Sequence, residues 1–594
     1  MSPRPIVIGS DTELGNFILG ADSSRSTGAT ASRALLREIA GYSSSASGSS
    51  RCNCEACVAR RKAEESTVDL SMSSNGNQDW GRKYLPTNGG CAYIDLDHLE
   101  LCTPEVTSAF DYVAAWHAML RVAQQAQLNV NSKAKKGLRL QALVNNSDGQ
   151  GNSYGGHLSF CISRRLWDNL FHRKLHMQLF LAAFQASSIV YTGQGKVGSE
   201  NGQPDCAYQI SQRADFFETL TGLQTTYRRP LVNSRDETLC GRGHSSSYGS
   251  SGGSGYGGYS SGSGSSSNRD RAASANAGDA PSRLHVIFYD ANLAHVSCLL
   301  KAGTMQLLLA MLEAGRLDPS LILDDPLEAV VAWSHDPDLN ARARMASGQE
   351  MTAVEAQWKF FEGAQRFHGE QGFDGVVPRA DEILALWGDT LQKLHDRDFD
   401  ALGVRLDWVL KRQALSRAMA RRPDLTWESP ELKHLDLLYS SLDPSDGLYW
   451  AYERAGVLER VASDEQIERF VQQPPEDTRA FTRAQLMRLA GRDMTDDIDW
   501  DSMRFKVKSD RGWPSYPSIE LGDPLAWAAA ETAPVFAAAA TLEEALCGLD
   551  ALRNPADQTT GEGSGVLALP APEDSTATSD SRKWGWSWTG GGTN

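Results

Sequence analysis

The sequence is short of several things, and each shortage removes a class of protein. Ten cysteines in 594 residues are too few for a disulfide framework, which predicts a reduced, cytoplasmic protein. Positive charge is in deficit. Lysine and arginine total 58 against 74 aspartates and glutamates, a formal net charge of −16, so general nucleic-acid binding is disfavoured. No uninterrupted apolar run reaches the roughly 18 residues of a membrane span, and no membrane association is expected. The opening MSPRPIVIGSDTELG has neither a long apolar stretch nor a small-residue cleavage site. It reads as a first strand at residues 5–8 and not as a signal peptide. The phosphate-loop pattern GxxxxGK[ST] is missing.

What is present is globular: 41% hydrophobic and 22% charged residues, in a chain long enough for more than one domain. Residues 21–89 are polar and irregular around one candidate helix, ASRALLREIAG. Within them Cys52, Cys54 and Cys57 suggest zinc or plain thiols, with no fourth ligand nearby. SSSYGSSGGSGYGGYSSGSGSSS at 245–267 is a low-complexity insertion. From about residue 557 the chain lacks a core pattern, and Trp584, Trp586 and Trp588 there suggest a docking peptide or an unstructured end. Helical periodicity marks 107–127, 173–190 and 299–317, strands are predicted at 138–144 and 283–290, and helices dominate 325–470.

Three stretches carry candidate chemistry. In GSDTELG (9–15) Asp11 and Glu13 share one strand face, and in AYIDLDHLE (92–100) Tyr93, Asp95 and Asp97 share another. Aligned carboxylates repel one another and are costly to desolvate. A divalent cation relieves both, and magnesium suits oxygen ligands of this kind; a solvated sheet face is the alternative. NNSDGQGNSYGGH (145–157) lets backbone approach a ligand closely, or is a plain turn. TYRRPLVNSRDE (226–237) offers arginines to a phosphate or carboxylate, or to surface salt bridges.

Together with QISQRADFFE, RLHVIFYDANLAHVSCLLKAGT, PPEDTRAFTR and IDWDSMRF, in order from about residue 5 to 555, these stretches resemble the Pup ligase/Pup deamidase family, and most closely its deamidase–depupylase branch. The resemblance implies an α+β fold of the carboxylate–amine ligase (glutamine synthetase-like) type. In that fold a curved antiparallel sheet forms a cradle, helices pack behind it, and a small C-terminal domain abuts it. It implies a catalytic domain at 1–473 with insertions at about 21–89 and 241–281, a C-terminal domain at 474–556, and a disordered tail at 557–594. It also implies ATP and Mg2+ in the cradle and, as partner, Pup, a small protein modifier tied to the proteasome system. The implied reaction is hydrolysis of the side-chain amide or isopeptide at the modifier's C-terminal Gln/Glu. Asp95 matches the catalytic position. Asp11, Glu13, Tyr93 and Glu100 match the metal site, and Thr103, His157, Arg229, Arg235 and Trp500 the cofactor site. The sequence departs from the family at Asp11, Cys91, Leu99, Leu158, Ser159 and Leu239. Isopeptide formation through a γ-glutamyl phosphate, or modifier binding without turnover, are the alternatives.

Overall fold

The structure, a computed structural model, describes residues 4–22, 27–43, 80–236, 277–508 and 513–553. The cysteine cluster, the 245–267 insertion, Leu239 and the tryptophan tail lie outside the described residues.

Eight strands form the main sheet: β1 (Ile8–Leu19), β2 (Tyr42–Ser43), β3 (Trp80–Tyr84), β4 (Cys91–Asp95), β5 (His98–Cys102), β6 (Arg139–Leu143), β7 (Gly156–Ser163) and β8 (Pro281–Val286). They run β8-β7-β1-β5-β4-β3-β2, with β6 joined to β1, and the neighbours are antiparallel. β1 is the spine. Its first half lies between β5 and β7, and its second half, Gly15 to Leu19, turns to β6. It begins later and runs much further than the predicted 5–8, because alternation persists through GSDTELGNFIL. Ile8, Leu14 and Ile18 face the core, which sends Asp11 and Glu13 to the opposite face.

The stretch YIDLDHLELC is a hairpin and not the single strand its composition suggested. Leu96 takes a positive φ of 51° at the tip, and Asp97 falls in the connection, out of line with Tyr93 and Asp95. The register sets Asp95 opposite His98, Tyr93 opposite Glu100 and Cys91 opposite Cys102.

Helices cover the other face: α1 (Gly28–Glu38), α2 (Ala109–Lys133), α3 (Leu175–Thr192), α4 (His295–Glu313), α5 (Ala353–Glu370) and α6 (Ala380–Asp396). α4 is long and apolar enough to cross a bilayer by length and composition alone, yet it is wholly buried, packed on α2, α3, α5 and α6. Its apolar stretch is not continuous: Ser297, Lys301, Thr304 and Gln306 interrupt it. Lys301 Nζ donates to the Asp290 carbonyl at 2.9 Å, and burial lowers the pKa of its amine.

Residues 480–553 add α7 (Ala480–Met494), five short strands in a three-stranded and a two-stranded sheet, and helices Ala529–Ala538 and Leu542–Arg553. Their apolar cluster, with Met487, Phe505 and Leu521, takes in Tyr84, Cys91 and Cys102 from the sheet. This segment therefore seats directly on the β3–β5 side and walls one end of the open face.

Candidate active site

The exposed face of the sheet forms the floor of a cavity of about 630 Å³. Alternation fills that floor with polar side chains: Asp11 from β1, Tyr93 and Asp95 from β4, Glu100 from β5, His157 from β7, and Arg283 with His285 from β8. Five antiparallel strands thus deliver their outward residues to one surface while their inward residues build the core.

Two clusters emerge. In the first, ligand atoms of Glu13, Asp95 and Glu100 lie within 4.8 Å of one another. Glu13 and Glu100 are opposed across β1 and β5. Burial, and then the Asp11, Glu13 and Asp95 charges, push the Glu100 carboxyl well above its ordinary range. In the second cluster, Asp11, His157 and His285 are equally close. Asp11 Oδ2 lies 3.6 Å from His157 Nδ1, 3.6 Å from an Arg283 guanidinium nitrogen and 3.8 Å from His285 Nε2. Burial alone would raise the Asp11 carboxyl, but His157, Arg283 and His285 together hold it well below the usual carboxylate range. Burial, and next Arg283, push His285 far down, leaving a neutral imidazole. His157 Nε2 and both His285 ring nitrogens are buried and make no hydrogen bond. Buried groups left this way are uncommon and signal a missing partner.

The other end of the cavity is built by residues that follow β5 and by the C-terminal segment. Thr103 Oγ1 is 3.1 Å from both the Ser10 amide and the Ser10 hydroxyl. The Trp500 ring stands edge-on to Tyr84, with centroids 5.6 Å apart. The Arg483 guanidinium lies 4.7 Å from the Trp500 ring centroid. Arg483 and Arg479, both from the α7 region, converge on Glu105 at 2.5 and 2.8 Å. Arg82 stacks over the Tyr93 ring at 4.2 Å.

Of the residues expected from sequence, Asp11, Tyr93, Asp95, Glu100, Thr103, His157, Arg235 and Trp500 line this cavity. Glu13 lies behind that wall in the carboxylate cluster, its Oε2 accepting the Gly155 amide at 3.1 Å. Arg229 is buried apart from the lining, donating to the Ser153 carbonyl at 2.5 Å. His285, Arg283 and Arg82 escaped the sequence reading, although Arg283 and His285 alternate with Leu284 and Val286 in RLHVIFYD, the mark of a half-polar strand.

The 145–157 loop meets the floor through Gly155, whose φ is +140° and where a Cβ would overlap Asn146 Oδ1. Gly155→Ala is expected to cost about 1–3 kcal/mol, read as a lower denaturant midpoint at unchanged m.

The sequence profile described as "Pup-ligase protein" matches residues 6–244 and 270–504. The chain is 32% identical over 448 residues to a Pup deamidase/depupylase of Mycolicibacterium smegmatis, covering 74% of this chain and 80% of that one. It is 31% identical over 456 residues to a Pup–protein ligase of Acidimicrobium ferrooxidans, covering 75% and 88%. The crystal structure of Pup in complex with its ligase PafA superposes with a TM-score of 0.66 at 23% identity, covering 94% of this chain and 99% of that one. PafA in complex with ADP gives 0.62 at 25% identity, covering 86% and 96%.

Proposed function

The chain belongs to the Pup-ligase protein family, and from that premise we propose that it hydrolyses the side-chain amide or isopeptide at the C-terminal Gln/Glu of a Pup-like modifier. The observation that carries this reading is Asp95. It sits at the end of β4, half-buried, at the cavity wall and within the Glu13–Glu100 cluster. Asp95 attacks the side-chain carbonyl carbon, or takes the proton of a water that does so; the amine leaves with a proton and water supplies the new carboxyl oxygen. Identity to a deamidase/depupylase supports hydrolysis. The comparable identity to a ligase supports ligation as the second reading.

The donor sets fit divalent cations. The crowded carboxylates of Glu13, Asp95 and Glu100 are hard oxygen ligands, and the unpartnered imidazole nitrogens beside Asp11 complete a second set. Tyr93 borders the first. Mg2+ with ATP, when bound, supplies the positive charge that offsets these acids and polarises the reacting oxygen. Thr103 and Trp500 with the adjoining C-terminal segment would hold the nucleotide, and Arg235 and Arg283, which line the same cavity, would offer their charges to its phosphates. The chain is organised as a catalytic unit through about residue 473 with a smaller unit at 474–556 closing the nucleotide end, and it acts in the cytoplasm. Mg2+ with ATP is expected to raise the unfolding temperature by several degrees, and Glu100→Gln to remove most of that rise.

The deciding experiment incubates the full chain with Mg2+, ATP and a target protein joined by isopeptide to the modifier. Release of free target and modifier supports hydrolysis. Accumulation of conjugate from free modifier, with ATP converted to ADP, supports the ligase instead. Neither outcome, with no nucleotide bound, sinks both readings.

A further inference from the structure

Cys91, where this sequence departs from the family, is fully buried and stands directly opposite Cys102 across β4 and β5. Cys102 is 4% exposed and lines the cavity. Both are free cysteines. Directly opposed residues of an antiparallel pair have Cα atoms about 4.5–5.5 Å apart, inside the span that a disulfide bridges. The two side chains also meet, because the Cys102 thiol is in hydrogen-bond contact with Cys91. That contact, and then burial, push the Cys102 thiol well above its ordinary range, so the pair rests as two thiols. The Arg82 guanidinium, over the Tyr93 ring, works the other way: its charge lies near both sulfurs and favours the thiolate that an oxidant meets. Cys161 lines the same cavity, but the residue opposite it on β8 is Arg283 and no thiol. The cysteine pair belongs to one row across four strands: Asp11 opposite Cys102, Cys102 opposite Cys91, Cys91 opposite Tyr84. Asp11 belongs to the histidine cluster, and Tyr84 packs on the Trp500 ring. Both cysteines are also part of the apolar seat on which the C-terminal segment packs.

We propose that Cys91 and Cys102 are a reversible redox pair whose oxidation to a disulfide weakens nucleotide binding at this end of the cavity. The consequence for nucleotide rests on the ATP-dependent reading above; the bond itself does not. The oxidant is a peroxide, small enough to reach Cys102 through the cavity. The Cys102 sulfur attacks one peroxide oxygen, the O–O bond breaks, and water leaves with the thiol proton, giving a sulfenic acid. The Cys91 sulfur then attacks the sulfenic sulfur. The S–S bond forms, the S–O bond breaks, and a second water carries away the Cys91 proton. The two thiols lose two electrons and two protons, and the peroxide takes both. A dithiol reductant reverses the bond by exchange. The bond fixes the spacing of β4 and β5 in the row between Asp11 and Trp500, and it reshapes the seat of the C-terminal segment. Thr103, the next residue after Cys102, moves with it. In a reducing compartment such a pair acts as a sensor and not as a structural staple.

The test treats the reduced full chain with excess hydrogen peroxide, alkylates the remaining thiols and weighs the tryptic peptides. Trypsin leaves both cysteines on one peptide, 84–121. That peptide is expected to be unalkylated and lighter by two hydrogens, and to be restored by dithiothreitol. The oxidised chain is expected to bind Mg2+ with ATP about 10-fold more weakly than the reduced chain, and by linkage bound nucleotide disfavours the bond to the same extent. Cys91→Ala is expected to show one affinity before and after peroxide. Alkylation of both cysteines in the peroxide-treated parent overturns the inference and leaves the hydrolase reading standing. So does sulfinic acid on either cysteine without a bridge, or a bridge from either to a third cysteine. A bridge between Cys91 and Cys102 with unchanged nucleotide affinity overturns it by making the bond incidental. Loss of affinity in peroxide-treated Cys91→Ala overturns it by tracing the loss to another residue. A reduced chain that binds no nucleotide overturns the inference together with the ATP-dependent reading, whatever the peptide shows.

Discussion

Asp95→Asn is expected to lower hydrolysis of the modifier's terminal amide by about 10³-fold or more without unfolding the protein. The first half of this expectation follows from chemistry. Asparagine keeps the shape of the side chain at the end of β4 but neither attacks a carbonyl nor takes a proton at neutral pH. The second half follows from the crowding of Asp95 with Glu13 and Glu100. Removing one of three close carboxylates relieves repulsion, so the variant should unfold no earlier than the parent. Activity measured as terminal Gln converted to Glu by mass spectrometry, beside a thermal unfolding curve, separates the two. Loss of activity together with a lowered unfolding temperature would move Asp95 from chemistry to structure.

Glu105→Gln is expected to cost about 3–5 kcal/mol, because it strands two buried arginines. Glu105 follows β5 and receives Arg479 and Arg483, both buried, the latter completely. These bonds tie the C-terminal segment to the sheet beside Trp500. Burial would raise the Glu105 carboxyl from 4.5, but Arg483 and Arg479 outweigh it and bring it down to about 2. A carboxyl lowered on folding contributes stability that is fully present above its unfolded value. That contribution is lost as pH falls through the folded value. The pair therefore adds about 3 kcal/mol above pH 4.5, draining away between there and about pH 2. Chemical denaturation of parent and variant across that window should show the parent losing this advantage and Glu105→Gln showing a flatter acid limb. Nucleotide affinity should fall with it, since Arg483 also anchors Trp500.

Much of the site was legible because strands alternate. Asp11 with Glu13 and Tyr93 with Asp95 were placed on common faces from spacing alone, and the sheet sets those faces side by side. Asp97 failed the same rule because the strand ends at Asp95 and turns. Nothing in the alternation announces a two-residue connection led by a leucine at positive φ, where glycine or asparagine is usual. His285 and Arg283 were hidden because RLHVIFYD reads first as an apolar strand, although its polar residues fall on alternate positions. Arg82 was hidden at the edge of the polar stretch 21–89. Glu105 with Arg479 and Arg483 left no signal, since an ion pair spanning most of the chain has no local pattern. Arg229 was grouped with the cofactor residues, and sequence could not tell that it lies behind Glu13 and away from the cavity wall. The fold follows the same division. The α+β class and antiparallel sheet were readable from the resemblance. The length of β1, and the burial of α4 despite Lys301, required the tertiary partners to be known.

The most direct test of the central claim is to quantify ammonia released when the full chain, with Mg2+ and ATP, meets a modifier ending in Gln. The cavity and its Asp95 predict ammonia in step with conversion of that Gln to Glu, and none from Asp95→Asn. No ammonia from the unaltered chain, while it binds both nucleotide and modifier, would contradict the claim that this sheet face is a hydrolytic active site.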